Sequence, residues 1–246
     1  MKFTFGIITA GGYDNFIIQI IESIKKNNIP NYEIIIVGNT TIKEIDNIKV
    51  LYFNENIKPG WITKKKNIIV LNAKYENIVL LHDYVKLCDN WYEGFLKFGD
   101  NFDFCITKIT NADGKRFRDY TLFPYEVDYL NIFYSPGKDI DNYFNNYCLL
   151  PYNFVNNTKT NKYMYISGTY YIIKKTVAVN NLLNENLVHG RGEDVEYSKR
   201  LHMKGHIIKC NFNSDVVLLK QKNSIDWEKE IDPFYLNKFI MYCENN

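Results

Sequence analysis

The chain has 246 residues, enough to bury one large α/β core, and its 46% hydrophobic and 24% charged content is that of a globular protein. A net charge of +2 gives no global electrostatic case for nucleic acid, and no apolar run approaches the about 20 residues that span a bilayer. The five cysteines are scattered with no CxxC pair, which argues against a disulfide or zinc framework and for a reducing, cytoplasmic compartment.

The first hundred residues alternate strand and helix. Phe3 to Thr9 reads as a strand that ends in the turn Ala10-Gly11-Gly12. Asp14 is placed to cap a helix from Asn15 to about Asn28, whose Phe16, Ile17, Ile20, Ile21 and Ile24 follow a 3.6-residue period. Pro30 stops it. Glu33 to Val37 and Ile48 to Phe53 are strands, and Pro59-Gly60 opens a helix through about Ala73. Asn77 to Leu81 is a further apolar strand, Asp89 begins a helix through about Phe98, and Phe102 to Thr107 is a strand. Short apolar strands separated by helices predict a mostly parallel central sheet with helices on both faces.

The turn signal NADG (111–114) predicts a hairpin over 109–120. From about Tyr120 to Tyr163 regular patterning breaks down, with one helical candidate at Ile140 to Leu149. That length predicts an insertion or substrate-facing lobe. Pattern resumes with a strand over 163–175, a helix near Thr176 to Leu183, the loop VHGRGED, and a helix to Lys204 with Gly205 as its C-terminal cap. Two short strands, His206 to Cys210 and Asp215 to Lys220, precede an amphipathic helical tail from Asp226 to Tyr242. With no repeat or low-complexity linker, the reading is one domain over 1–246. It divides into an N-terminal half (1–110), a second half (111–220) that carries the insertion, and the tail (221–246).

In an open parallel sheet, ligands bind at the carboxyl ends of the strands. Those ends carry Thr9 to Gly12, Gly38-Asn39, His82-Asp83-Tyr84 and Lys220-Gln221. Gly11-Gly12 allows backbone N–H groups to approach an anion at the next helix N-terminus, yet it is neither GxGxxG nor a P-loop, and alone it reads as a tight turn. Lys64-Lys65-Lys66 sit in the first turns of a helix, where cations oppose the macrodipole. A diphosphate partner explains one of them, and a solvated face explains the others. Asp83 is an oxygen ligand for Mg²⁺ or Mn²⁺, which His82 joins if the ion is Mn²⁺; otherwise Asp83 caps the following turn and His82 is a satisfied hydrogen-bonding residue. Glu193-Asp194 open a helix after Gly190-Arg191-Gly192, where carboxylates complement the dipole or supply a general base for a hydroxyl nucleophile.

Taken in order, FGIITAGG, YEIIIVGN, TKKKNIIVLNA, VLLHDYVKLCDNW, SGTYYIIKK and GRGEDVEYSKRLHMKGH resemble the nucleotide-sugar-dependent glycosyltransferases of the GT-A fold, close to the family 2 type. The resemblance spans roughly residues 2–110 and 164–210. It implies a Rossmann-like GT-A sheet and a UDP-sugar donor held by Thr9, Ala10, Gly11, Asn39, Lys66, Asn67, His82, Asp83, Gly168 and Lys220. It also implies Asp194 as the base of a single inverting displacement, with Glu193 orienting it, and Mn²⁺ or Mg²⁺ on Asp83. The acceptor is a glycan, protein or lipid-linked hydroxyl, with Trp61, Trp91 and Arg191 expected beside it. The chain departs from the family where the Asp-x-Asp triplet reads His82-Asp83-Tyr84, and where a late histidine ligand is replaced in VVLLKQK by Lys220. Two readings of that corner follow: Asp83 still binds a metal with help from phosphates, or Lys220 and Lys66 neutralise the leaving diphosphate. A sugar nucleotidyltransferase and a degenerate sugar- or nucleotide-binding protein are the alternatives. The first lacks a basic glycine-rich N-terminal signature, since TAGGYDN has no Arg or Lys.

Overall fold

The computed structural model describes residues 1–122, 148–152, 158–222, 230 and 233–245. Its first four strands are β1 (Phe3–Ile8), β2 (Tyr32–Val37), β3 (Ile48–Leu51) and β4 (Asn77–His82). They pair in parallel in the order β3-β2-β1-β4. Every residue of β1 is buried, as expected of a strand covered on both faces. On one face Phe3 and Phe5 meet Trp91, and Phe3 also meets Phe95, on α3 (Trp91–Phe98). On the other, Gly6 lies against α2 (Ile62–Asn72), where an added Cβ would sit 2.3 Å from Ile69 Cγ2. The crossover helix α1 (Asp14–Lys26) buries Ile17, Ile20, Ile21 and Ile24, the predicted stripe.

The eight-stranded sheet continues β4-β10-β6-β11-β5, where β5 is Val85–Leu87, β6 Phe104–Thr110, β10 Tyr170–Lys174 and β11 Lys209–Leu218. Two antiparallel pairings position the site. β10 runs against β4, pairing Tyr170 with Leu81, so Ser167-Gly168-Thr169 arrives at the carboxyl end of the parallel strands. β11 runs against β5, pairing Leu218 with Val85, and the Leu219 N–H then donates to the Tyr84 carbonyl at 2.8 Å. The chain past β11 is thereby delivered to the same end. A second sheet joins β7 (Thr121–Leu122), β8 (Cys148–Leu149) and β9 (Met164–Tyr165) in the order β8-β7-β9. Four short or terminal helices complete the described elements: α4 (Thr158–Asn161), α5 (Lys175–Val179), α6 (Glu193–Met203) and α7 (Pro233–Asn245).

The structure alters several expected elements. The two late strands are one strand, β11, with a register shift between Asn211 and Asp215, because a bulge bends a strand without ending it. The expected strand over 163–175 is two, since Ser167-Gly168 leaves the ladder between β9 and β10. The helix near Thr176 to Leu183 is the shorter α5, and β5 was not foreseen. Asp14 is the first residue of α1 and accepts from Thr40 Oγ1 at 2.6 Å and the Thr41 N–H at 2.8 Å, so it ties a loop to the helix start. The 109–120 hairpin forms around Asn111, whose N–H donates to the Lys115 carbonyl at 2.7 Å. Of the expected helix Ile140 to Leu149, residues 140–147 lie outside the described residues and Cys148–Leu149 is a strand. The start of the expected tail helix, 226–229, also lies outside them. Among the described residues no helix is long and apolar enough to cross a membrane.

Candidate functional site

Two sets of hydrogen bonds tie several of the predicted residues together at the carboxyl edge of the sheet. Thr9, just past β1, donates its hydroxyl to Asp83 Oδ2 at 2.7 Å. The same oxygen of Thr9 accepts the Gly11 N–H at 3.0 Å, so the turn after β1 is fixed to the carboxylate after β4. Gly38, past β2, has φ +144°, and a Cβ there would lie 2.0 Å from the Thr9 carbonyl. Only glycine permits that approach. Asn39 follows it, exposed, beside Gly11, and Ala10 is exposed too.

The three lysines of α2 leave the helix about 100° apart and meet three different partners. Lys64 pairs with Glu185 at 3.0 Å. Lys65 is buried, donates to the Thr9 carbonyl at 3.0 Å and pairs with Glu55 at 2.6 Å. Lys66 is buried completely and donates to the Gly168 carbonyl at 2.6 Å. Neither buried lysine belongs to a solvated face. Burial pushes the Lys66 ammonium down, against the pull of Glu193 and Asp194. Lys66, expected at the donor diphosphate, is here buried and acts on the carboxylate pair through its charge and the Gly168 carbonyl. Asn67, also expected at the donor, has its amide spent on the 183–185 segment: it donates to the Leu183 carbonyl and Glu185 Oε1 and accepts the Leu183 N–H.

Gly168 couples that lysine to the carboxylates. Its N–H donates to Asp194 Oδ2 at 2.9 Å while its carbonyl accepts from Lys66. A Cβ at Gly168 would stand 2.9 Å from Glu193 Oε1 and 3.0 Å from Asp194 Oδ2. Asp194 Oδ1 accepts the Val195 N–H at 2.9 Å, so both of its oxygens are oriented by backbone donors. Ser198 Oγ, one turn on, donates to the Asp194 carbonyl and accepts the Ile166 N–H, clamping the start of α6 to the segment before β10. Glu193 is buried. Desolvation, then the neighbouring Asp194, raises its carboxyl to about 7 against the pull of Lys66. A carboxyl poised there exchanges protons readily at neutral pH.

The His82-Asp83-Tyr84 corner is ringed by cations. Burial raises the Asp83 carboxyl, while the Thr9 hydrogen bond, Lys220 and Lys65 act to lower it. Burial holds the His82 imidazole neutral, reinforced by Lys66, His189, Lys222 and Lys65. Its Nε2 is buried without a partner among the described residues, and its ring lies 5.4 Å from that of Tyr84 and 6.4 Å from that of His189. These residues do not fit a divalent metal. Asp83 is a lone carboxylate with one oxygen already taken, and among the described residues no group of three His, Cys, Asp or Glu side chains could hold an ion. The surrounding ammonium groups repel a cation. Among the described residues the Mn²⁺ or Mg²⁺ expected on Asp83 thus lacks a second carboxylate, since Tyr84 stands in its place.

The acceptor-side expectations divide. Trp61 is half-buried, donates its indole N–H to the Glu185 carbonyl at 2.7 Å, and carries Lys58 over its ring at 4.9 Å. Arg191 is exposed in the loop that leads into α6. Trp91 is a core residue, 0% exposed, with its indole N–H on the Tyr170 hydroxyl at 2.6 Å, so it faces no acceptor. Its apolar surface is worth more against Phe3 and Phe5 than in solvent. Lys220 reaches the corner as expected. Lys222, Arg118 and His189, which also lie near the corner, were not foreseen there. The alternation of Lys220 and Lys222 in LLKQK was the available signal, since residues two apart in an extended chain share a side.

No family model and no curated protein sequence matches the chain. Solved structures do. The crystal structure of GalNAc-T7 with UDP, GalNAc and Mn²⁺ superposes with a TM-score of 0.60 at 13% identity, over 95% of this chain and 46% of that one. The S. aureus TarS 1–349 structure gives 0.51 at 16% identity over 99% of this chain and 64% of that one, and the longer TarS structure 0.51 at 17% over 99% and 39%. The chain therefore spans less than two-thirds of the length of each. The shared architecture is the GT-A glycosyltransferase fold, with a mixed, mostly parallel central sheet.

Proposed function

From a GT-A fold with a carboxylate pair and a cationic corner at its ligand edge, we propose that the protein is a glycosyltransferase. It moves a sugar from a UDP-linked donor to the hydroxyl of a glycan, protein or lipid-linked acceptor. The observation that carries this is a pair of hydrogen-bonded chains, Asp83–Thr9–Lys65 and Lys66–Gly168–Asp194, whose lysines are neighbours on α2 and which gather residues from the ends of β1 and β4, α2, the segment before β10 and the start of α6. A tight turn and an ordinary helix start do not require such a pair. A site that must hold a nucleotide sugar beside a proton acceptor does.

In this reading the nucleotide lies against Thr9, Ala10, Gly11 and Asn39, and the diphosphate lies toward Asp83 and Lys220. Asp194 removes the proton of the acceptor hydroxyl. That oxygen bonds to the anomeric carbon as the bond to the diphosphate breaks, and the electron pair leaves with the diphosphate. One displacement inverts the anomeric centre. Glu193 orients Asp194 or a sugar hydroxyl, and Lys66 holds Asp194 through Gly168 and acts on Glu193 through its charge. Arg191 and Trp61 border the acceptor side.

A panel of nucleotide sugars, read by release of nucleoside diphosphate and followed by product NMR, tests the reading. One donor is expected to be consumed, with inverted configuration in the product. Asp194→Asn is expected to lower turnover at saturating substrate by about 10²–10⁴-fold. An Asn variant that keeps most of its turnover removes Asp194 as base. Pyrophosphate release from a nucleoside triphosphate and a sugar phosphate replaces the reading with nucleotidyl transfer.

A further inference from the structure

Tyr84 occupies the third position of the triplet at the end of β4, and it binds cations instead of donating to one. Lys220 Nζ lies 4.2 Å from the centre of its ring and 4.4 Å from that of Tyr13, so the ammonium is held between two aromatic faces. Lys222 Nζ lies 4.6 Å from the same Tyr84 ring. The ring itself is fixed: Tyr84 is buried, and its carbonyl accepts from Leu219. Tyr13 precedes α1, whose N-terminus adds its own positive end to the corner.

The arrangement is electrostatically unfavourable as it stands. Among the described residues neither Lys220 nor Lys222 forms an ion pair. Burial and then the repulsion of Lys220 and Arg118 push the Lys222 ammonium down, and only Asp83 pulls it back. Among the described residues, Arg118 is one of three non-glycine residues with a left-handed backbone, at φ +39°. Like charge on Lys220 and Lys222, gathered in one place, is relieved by an anion.

We propose that Lys220 and Lys222, mounted on Tyr84, bind the donor diphosphate and stabilise it as it leaves, so that transfer is independent of a divalent metal. The proposal rests on the glycosyltransferase reading for its substrate, while its anion site has a readout of its own. Two ammonium groups supply the charge that a divalent ion would bring, and the Tyr13 and Tyr84 rings hold them in place without neutralising them. Asp83 then serves to orient the cations and the turn after β1 through Thr9.

Titration calorimetry of the full chain with UDP and with inorganic pyrophosphate, each in EDTA and then in Mn²⁺, tests this. Both probes are expected to bind in EDTA with affinity changed less than about twofold by Mn²⁺, and with a salt dependence typical of ammonium–phosphate contacts. Lys220→Met and Lys222→Met are each expected to weaken binding about tenfold or more, the size of a lost charge-assisted contact. Lys97→Met, at an exposed lysine of α3 that pairs with Glu93, is expected to stay near wild type. Binding that requires Mn²⁺, binding indifferent to both lysines, or no binding of either probe overturns the proposal. If a donor is consumed only when metal is present, the lysine site fails and the enzyme reading stands. If no donor is consumed while pyrophosphate binds in EDTA through the lysines, the enzyme reading fails alone.

Discussion

Thr9 and Asp83 are 74 residues apart in sequence and 2.7 Å apart in space, hydroxyl to carboxylate, at the ends of two paired parallel strands. The hydroxyl is the one side-chain donor that offsets the burial of that carboxylate, alongside the longer-range pull of Lys220 and Lys65. Thr9→Val keeps the volume and removes the donor. It is expected to cost about 1–3 kcal/mol of stability by urea denaturation, the price of leaving a buried acceptor unpaired. A loss under about 0.5 kcal/mol would mean that the lysines alone satisfy Asp83.

Gly168 donates its N–H to Asp194 Oδ2 and has no room for a side chain beside Glu193 and Asp194. Gly168→Ala places a methyl group 2.9 Å from Glu193 Oε1 and 3.0 Å from Asp194 Oδ2, and the carboxylates turn away because side-chain ends give more readily than backbone. Turnover is expected to fall about tenfold or more while the urea midpoint changes little, since misorientation of a base by a fraction of an ångström is kinetically expensive. A large stability loss with turnover preserved in the folded fraction would contradict this.

Glu193 sets a pH dependence of stability. Its carboxyl is raised to about 7 by burial and by Asp194, with Lys66, Tyr171 and Tyr84 also within its field. The folded state therefore holds a proton that the unfolded chain has released, between the ordinary value of 4.5 and about 7. This contribution to stability is fully present below 4.5 and is lost as pH rises through about 7. Glu193→Gln keeps the neutral form at every pH. Its melting temperature relative to wild type is expected to be higher at pH 8 than at pH 5, with each kcal/mol shifting it by about 2–4 °C. A difference that does not change with pH would show that Glu193 does not titrate in this range.

Trp91 belongs to the core. Trp91→Phe retains the contacts with Phe3, Phe5 and Phe95 in part but removes the indole N–H from the Tyr170 hydroxyl, leaving Thr107 Oγ1 at 3.4 Å. The expected loss is about 1–3 kcal/mol in urea, with the acceptor KM unchanged. A selective rise in that KM would return Trp91 to the acceptor side.

The periodic elements were legible because local chemistry sets them. The stripe Ile17, Ile20, Ile21, Ile24 makes α1, and the continuous apolar runs that became β1, β2 and β4 can only be strands covered on both faces. The strand ends then named Thr9, Asn39, Asp83 and Lys220, because a parallel sheet presents its ligands there. Side-chain direction was not legible. Lys64, Lys65 and Lys66 are identical letters, and only the packing of α2 against β1 and the 183–185 segment separates a surface pair from two buried anchors. Trp91 offers the same ring to a core or to a sugar, and Phe3 and Phe5 decided between them.

By itself the sequence determined the alternation of strand and helix and the positions where a ligand edge must form, since hydrophobic period and turn chemistry act within a few residues. Tertiary structure decided what that edge is made of. The reversal of β10 carries Gly168 to Asp194, and the pairing of β11 with β5 carries Lys220 and Lys222 to Tyr84. A triplet with one carboxylate became a cationic corner because charge is read in space, between residues that strand pairing brings together from more than a hundred positions apart.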